Sequence, residues 1–125
     1  MSESLIGSIH DQIPYIYASI RNGRLAFHQH GEFAITVDTG FSGAIMLPKP
    51  LIRRLGLRQI GTGPFILADG TQVDLPIYRG QVLIMGREEK TWFIPGDFLV
   101  GMELLSSISS SLLIDFKQRL LLLKK

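Results

Sequence analysis

The amino-acid sequence predicts an all-β fold with one or two short helices. Thirteen glycines and six prolines among 125 residues divide the chain into short apolar runs, which is typical of strands joined by tight turns. Two dipeptides, Asn22-Gly23 and Asp69-Gly70, lie between apolar runs and indicate hairpins, because these residue types tolerate a positive φ. The length favours a single domain over residues 1–125.

The first half of the chain contains four predicted strands and the clearest helix. We expect a helix over 49–55, because Pro50 stands in its first turn and Gly56 follows its last residue. The runs rich in Ile, Tyr, Phe and Val before it predict strands over 13–20, 25–28, 32–37 and 43–47.

The second half continues the same pattern. Predicted strands over 64–67 and 72–78 flank the turn Ala68-Asp69-Gly70-Thr71. Further strands are expected over 81–85, 91–94 and 98–100, followed by one or two helical turns over 102–107. A closing pair of strands over 112–116 and 119–123 surrounds Lys117-Gln118.

Composition excludes several classes of function. There are no cysteines, so a disulfide framework, a thiolate zinc site and a cysteine nucleophile are excluded. The net charge of +2 is too balanced for the electrostatic footprint of a nucleic-acid or membrane-surface protein. No apolar run approaches the length of a membrane span, and no basic region leads into an apolar one at the start. We therefore expect a soluble, cytoplasmic protein.

The hydrophobic content favours an ordered chain with a partner. Hydrophobic residues make up 46% and charged residues 19%, below the roughly 25% charged residues of ordinary soluble domains. The mean hydropathy of +0.24 argues against disorder and indicates that some apolar surface is buried against a partner.

The segment with the strongest chemical signal follows the predicted strand 32–37. Asp38 stands at the end of this apolar run, where burial disfavours its charge. Gly40 allows a sharp turn, so that its N–H can donate a hydrogen bond to the carboxylate. Thr39 offers a hydroxyl to the neighbouring backbone, and Ser42 offers one to Asp38. Asp-Thr-Gly alone could be an ordinary turn, but the apolar run 44–48 and Ser42 make a fixed acidic group the stronger interpretation.

With this motif the sequence resembles the retropepsin-like aspartic proteases. The family pattern of two apolar residues, Asp-Thr-Gly, any residue and Ser is represented here by Thr36-Val37-Asp38-Thr39-Gly40-Phe41-Ser42. The hairpin at Asp69-Gly70 lies where such proteins carry a flap. Residues 98–105 are similar to the family's second signature, and 112–116 to its closing strand. The resemblance covers about residues 30–118 and is closest to small bacterial-type members.

The resemblance implies a closed retropepsin-like barrel with a flap hairpin and a homodimer that cleaves extended peptides. Each chain would supply one Asp38, and the two carboxylates would share a proton and activate a water without any metal or cofactor. Thr39 is similar to the residue that bonds across the dimer, and Gly40 to the glycine beside the substrate. Ala68, Asp69 and Gly70 correspond to the flap tip.

Three departures from the family pattern qualify this implication. Phe41 is bulky where viral members have a small residue, and the flap tip carries a charged Asp69. The chain also continues beyond the closing strand, which predicts a hairpin over 112–123. Two alternatives therefore stay open: an inactive dimerisation or peptide-binding module of the same fold, and an unrelated small β-barrel binding protein.

Other chemically capable residues have simpler interpretations. His28 and His30 would share one side of a strand, but no third metal ligand is signalled, so exposed loop histidines are favoured. Asp115 lies in an apolar strand without a following Thr-Gly and is expected to be a hydrogen-bonding residue at a strand end or interface. Trp92 is expected in the core.

Overall fold

A computed structural model of the chain describes residues 4–23, 25–27, 33–67 and 69–125. Strands account for 59% and helices for 13%, which confirms the all-β class. The strands are β1 (Ser4–His10), β2 (Ile13–Asn22), β3 (Leu25–Phe27), β4 (Phe33–Val37), β5 (Ile45–Leu47), β6 (Arg58–Ile66), β7 (Gln72–Ile84), β8 (Arg87–Pro95), β9 (Leu99–Val100), β10 (Ser111–Asp115) and β11 (Leu120–Lys124). The helices are α1 (Lys49–Leu55) and α2 (Met102–Ile108).

All of these strands join one hydrogen-bonded sheet. Their order is β10-β11-β1-β2-β4-β9-β5-β8-β7-β6, with β3 paired to β2. An additional antiparallel pairing joins β2 to β7, with Ile20 opposite Val82. Most neighbours are antiparallel, whereas β4 with β9 and β5 with β8 are parallel. The β2–β7 pairing brings the second half of the sheet back against the first.

One hydrophobic core fills the space inside the sheet. Its fully buried members come from strands that are distant in sequence. Their packing removes the apolar surface of these strands from contact with water, which favours folding. The largest are Ile16, Ile20, Ile35, Ile45, Leu47, Ile84, Phe93, Ile94, Leu121 and Leu123. Within the described ranges, neither helix is long and apolar enough to cross a membrane.

Helix α1 forms where the sequence predicts it. Pro50 lies in the first turn, and Gly56 ends the helix at a φ of 63°, donating its N–H to the carbonyl of Arg53 at 3.0 Å. Asn22 adds a second constraint, because its Nδ2 donates to the carbonyl oxygens of Leu55 at 2.7 Å and Gly56 at 3.0 Å. The end of β2 thus satisfies carbonyl groups that the helix leaves free.

Several strands differ from the predicted boundaries. β1 was not expected, and β6 and β8 begin six and four residues before the predicted strands at 64 and 91. Residues 72–84 form one strand rather than two, because Gly80 lies within β7 instead of in a turn. The closing hairpin is confirmed, with β10 and β11 one residue from their expected bounds.

Gly80 permits a close approach inside the sheet. A Cβ at this position would lie 2.8 Å from Leu57 Cδ2, 2.9 Å from Phe93 Cε2 and 3.1 Å from the Arg21 carbonyl oxygen. Two of these atoms belong to buried side chains, and the third belongs to the backbone of β2. The glycine is therefore required by packing.

We predict that Gly80→Ala lowers the free energy of unfolding by about 1–3 kcal/mol, because overpacking displaces the core. Gly61→Ala is the matched control in another strand, since a Cβ there meets no atom within 4 Å. Its effect should stay within about 0.5 kcal/mol. Urea unfolding of the two variants tests this, and equal stability would contradict the packing role of Gly80.

Candidate active site

Asp38 lies at the end of β4, where the backbone holds it between two strands. β4 pairs in parallel with β9, and Val37 lies opposite Val100. The Asp38 N–H continues this ladder by donating to the Val100 carbonyl oxygen at 3.0 Å. Asp38 itself is half-buried. The position of its carboxylate is therefore set by the core of the sheet rather than by a free loop.

Hydrogen bonds to Asp38 hold the turn that follows it. The Gly40 N–H donates to Asp38 Oδ1 at 2.9 Å, which confirms the expected bond, and the Phe41 N–H donates to the Asp38 carbonyl at 3.1 Å. Thr39 and Ser42 are exposed. The expected bond from the Ser42 hydroxyl to Asp38 is not found among the described residues. The segment after the turn is held instead through its backbone, from the other side.

That other side is the start of α2. Met102 N–H donates to the Phe41 carbonyl at 2.8 Å, Glu103 N–H to the Gly43 carbonyl at 3.1 Å, and Gly101 N–H to the Ala44 carbonyl at 2.8 Å. A Cβ on Gly101 would lie 2.6 Å from the Phe41 carbonyl oxygen. Only glycine fits between these backbones, so the second sequence signature directly supports the first.

The hairpin of β6 and β7 forms the second wall of the site. Its tip is closed by the Leu67 N–H, which donates to the Thr71 carbonyl at 2.8 Å, and by the Gly70 N–H, which donates to the Leu67 carbonyl at 2.9 Å. The Thr71 N–H donates to Asp69 Oδ1 at 2.8 Å. Gly70 has a φ of 89°. The expected hairpin is confirmed, although Ala68 lies outside the described residues.

A cavity of about 550 Å³ separates the Asp38 turn from this hairpin. Two of the expected site residues, Gly40 and Ser42, line the cavity together with residues of the hairpin strands. The other described site residues, Asp38, Thr39, Asp69 and Gly70, do not line it. Its wall is mainly apolar and aromatic. The lining residues are Gly40, Phe41, Ser42, Gly43, Met46, Gly63, Pro64, Phe65, Ile66, Leu67, Leu75, Ile77, Trp92, Ile94 and Glu103.

Trp92 joins the two walls of the cavity. Its Nε1 donates to Glu103 Oε1 at 2.8 Å, and its ring lies 6.1 Å from that of Phe65 on β6. The ring also packs against Gly43, where a Cβ would lie 2.7 Å from Trp92 Cη2. Trp92 is half-buried and packs against the core, so its expected place there is confirmed in part. Its indole N–H needs a polar partner, and Glu103 supplies it at the edge of the core.

Sequence reasoning missed Trp92 and Glu103 as site residues. Glu103 is the only ionisable residue that lines the cavity, in the part of the chain that the structure describes. Its position directly after the signature Gly101-Met102 was a usable signal, because the start of α2 contacts the Asp38 turn. Nothing in the local sequence around Trp92 indicated that its ring would face a cavity.

The remaining candidates do not extend the site. Asp115 Oδ1 accepts the Gln118 N–H at 3.0 Å, which confirms a hydrogen-bonding role at the end of a strand. His28 and His30 lie outside the described residues. Among the residues that the structure does describe, no three or more His, Asp or Glu side chains form a group that could hold a metal ion.

The hydrogen bond between Trp92 and Glu103 can be tested by tryptophan fluorescence. Glu103→Ala leaves the Trp92 indole without its partner and should cost about 0.5–1.5 kcal/mol of unfolding free energy. Trp92 is the single tryptophan, so its fluorescence emission reports on the site directly. Glu103→Gln retains an oxygen acceptor and is the matched control. An unchanged emission maximum in Glu103→Ala would contradict the role of the bond.

The flap tip gives a prediction for pH. The Thr71 backbone N–H bonded to Asp69 lowers the pKa of that carboxyl below its ordinary value of 3.8. The ionised form therefore stabilises the tip above pH 3.8, and this contribution is lost as the pH falls through the lowered pKa.

The Thr71 amide proton resonance should follow this titration between about pH 5 and pH 2. In Asp69→Asn the amide oxygen still accepts the bond but does not ionise, so the resonance should be constant over the same range. A titration that persists in this variant would assign the effect to another group.

No protein-family model matches the chain, and no curated protein matches it.

Proposed function

We propose that the chain is a homodimeric aspartic endopeptidase with a closed, retropepsin-like barrel. The observation that carries the proposal is the rigidly held Asp38, whose carboxylate accepts the Gly40 N–H beside an apolar cavity covered by a hairpin. A carboxylate that accepts a backbone N–H next to a concave apolar wall is an arrangement expected of an acid–base catalyst.

The strand pairings support the barrel. Following neighbours in the sheet leads from β2 through β4, β9, β5, β8 and β7, and the β2–β7 pairing returns to the starting strand. A circuit of this kind is what closure of a sheet requires. The hairpin of β6 and the first part of β7 extends beyond the circuit, as a flap would.

The chemistry requires a second copy of the chain. One carboxylate can act as a base or an acid, whereas peptide hydrolysis by this route uses both. Two Asp38 side chains brought together by a two-fold axis share one proton, because both cannot ionise at close range. The ionised carboxylate removes a proton from water, and the protonated one donates a hydrogen bond to the scissile carbonyl.

The cavity supports an extended peptide with an apolar side chain near the cleaved bond. Met46, Leu75 and Ile77 offer apolar contact to such a side chain. Phe41 occupies part of the wall beside Gly40, so it limits the size of the side chain that fits. Backbone groups of the flap hairpin would bond the substrate as an added strand.

We predict that Asp38→Asn reduces cleavage of a diverse peptide pool by at least about 100-fold, because the neutral amide cannot exchange the required proton. Products are identified by mass spectrometry between about pH 4 and pH 7, the range in which carboxylate pairs share a proton. Far-ultraviolet circular dichroism establishes that the variant keeps the fold.

Asp11→Asn is the matched control. Asp11 lies in the β1–β2 turn at a φ of 49°, which asparagine also adopts, and its side chain is 86% exposed. This variant should cleave as the unaltered protein does. Equal cleavage by Asp38→Asn would refute the mechanism, and peptide binding without cleavage by the unaltered protein would favour the inactive binding module.

A further inference from the structure

The cavity beside the Asp38 turn has one negative charge on a wall that is otherwise uncharged among the described residues. This charge belongs to Glu103, an exposed residue in the first turn of α2. Glu103 Oε1 accepts the Trp92 indole N–H at 2.8 Å, which holds the carboxylate against the ring. Oε2 has no hydrogen-bond partner in the described part of the chain. A carboxylate held in this way can accept a hydrogen bond from a cationic donor of a ligand.

The described part of the chain does not neutralise this charge. None of the ion pairs found among the described residues includes Glu103. Lys90 lines a smaller neighbouring cavity together with Trp92 and Glu103, but it is exposed and does not line the larger cavity. No lysine, arginine or histidine of the described ranges lines the larger cavity. The carboxylate is therefore available to a cation from outside the chain.

Aromatic rings form the wall next to this carboxylate. The rings of Phe65 and Trp92 lie 6.1 Å apart with 44° between their planes, so they are tilted rather than stacked. The Phe41 ring approaches from the Asp38 turn, because a Cβ on Gly43 would lie 2.6 Å from Phe41 Cζ and 2.7 Å from Trp92 Cη2. All three rings line the same cavity as Glu103. A cation within about 6 Å of a ring centroid is attracted to the face of the ring.

Phe41 is one of the departures from the retropepsin-like pattern. Its ring is half-buried, and its carbonyl accepts the Met102 N–H at 2.8 Å, so α2 holds this residue in place. Gly43 and Gly101 leave space for the ring, since a Cβ on either glycine would lie 2.6 Å from a ring carbon of Phe41. The fold therefore accommodates an aromatic side chain in this wall of the cavity.

We propose that the cavity accepts a lysine or arginine side chain of the peptide substrate, whose charged group binds Glu103 and the aromatic rings. This inference rests on the proposed function and deepens it, because it names a charge that the substrate carries. Lysine and arginine pack their methylene stems against apolar surface while the charged end reaches a polar group. Glu103 is then a residue that determines specificity and takes no part in the proton transfer.

The size of the cavity allows this side chain in addition to the apolar one near the cleaved bond. A volume of about 550 Å³ is in the range that holds drug-sized ligands, which are larger than one side chain. Side chains two residues apart in an extended peptide point to the same face and lie about 7 Å apart. The preference for lysine or arginine is therefore expected at one fixed position relative to the cleaved bond.

A binding measurement tests the cation site without any cleavage. The probes are Nα-acetyl-lysine methylamide and Nα-acetyl-norleucine methylamide, of which only the first has an ammonium group. Trp92 is the single tryptophan, so its fluorescence emission follows binding. At about pH 7 the lysine side chain is charged. The lysine probe should bind at least about fivefold more tightly, through cation–π attraction and an exposed ion pair.

Substitutions of Glu103 test whether this residue supplies the preference. Glu103→Gln should bring the two dissociation constants within about twofold, because the amide still accepts the Trp92 N–H but has no charge. Glu103→Lys should reverse the preference, so that Nα-acetyl-glutamate methylamide binds more tightly than the lysine probe. Circular dichroism establishes that the variants are folded.

Glu88→Gln is the matched control. Glu88 lies on β8, the same strand as Trp92; its side chain is 53% exposed, and it does not line the cavity. This variant should bind both probes as the unaltered protein does. Equal binding of the two probes by the unaltered protein, or no saturable binding of the lysine probe, would overturn the proposal. A lysine preference that persists in Glu103→Gln would also overturn it.

Cleavage of a peptide pool distinguishes the failure of this inference from the failure of the proposed function. A lysine preference that depends on Glu103, with no cleavage by the unaltered protein, would support the cation site and refute the peptidase. Cleavage that depends on Asp38, with equal binding of the two probes and no enrichment of lysine or arginine at any fixed position, would support the peptidase and refute the cation site. Enrichment at one position that is lost in Glu103→Gln would support both.

Discussion

The close approach of two backbone segments at Gly43 and Gly101 is the constraint on which the candidate site depends. Three N–H groups at the start of α2 bond to carbonyl groups of the segment 41–44, and no side chain fits between them. This contact fixes the turn after Asp38 from behind, while the parallel pairing of β4 with β9 fixes Asp38 itself. Each glycine therefore has a structural reason that is independent of any substrate. Catalysis by a carboxylate needs this kind of rigid support, because a small displacement of the acid changes the proton transfer geometry.

Helix α2 connects three parts of the molecule: the Asp38 turn, the cavity wall and strand β10. Its first residues hold the Asp38 turn, Glu103 bonds to the Trp92 ring on the cavity wall, and its end leads into the open edge of β10. Leu104, Leu105 and Ile108 anchor the helix in the core. The helix therefore supports the Asp38 turn and the Trp92 wall of the cavity from one position that is fixed by its packing in the core.

The sequence was most informative where structure is local. Pro50 and Gly56 bound α1 through backbone geometry, and the Asp38–Gly40 bond spans two residues, so both could be predicted. β1 and the first part of β6 could not, because their glycines and polar residues carry weak strand signals and their pairing partners lie far along the chain. The predicted break between strands 72–78 and 81–85 was wrong, because Gly80 lies within β7. A glycine that allows a neighbouring backbone to approach closely looks the same in sequence as a glycine in a turn. The meeting of Trp92 with Glu103 depends on how β8 packs against α2, which no local pattern specifies.

The pairing of β1 with β11 has a consequence for how the chain reaches its fold. Ser4 lies opposite Lys124, so the first strand of the described chain has β11 as one neighbour and β2 as the other. Closing a loop of this length is entropically expensive and slows folding in proteins dominated by distant contacts. During synthesis β1 can form its hairpin with β2 but must wait for β11 to emerge. Until β11 emerges, one edge of β1 has no strand to pair with, and a transiently unpaired edge of this kind is prone to association with other chains.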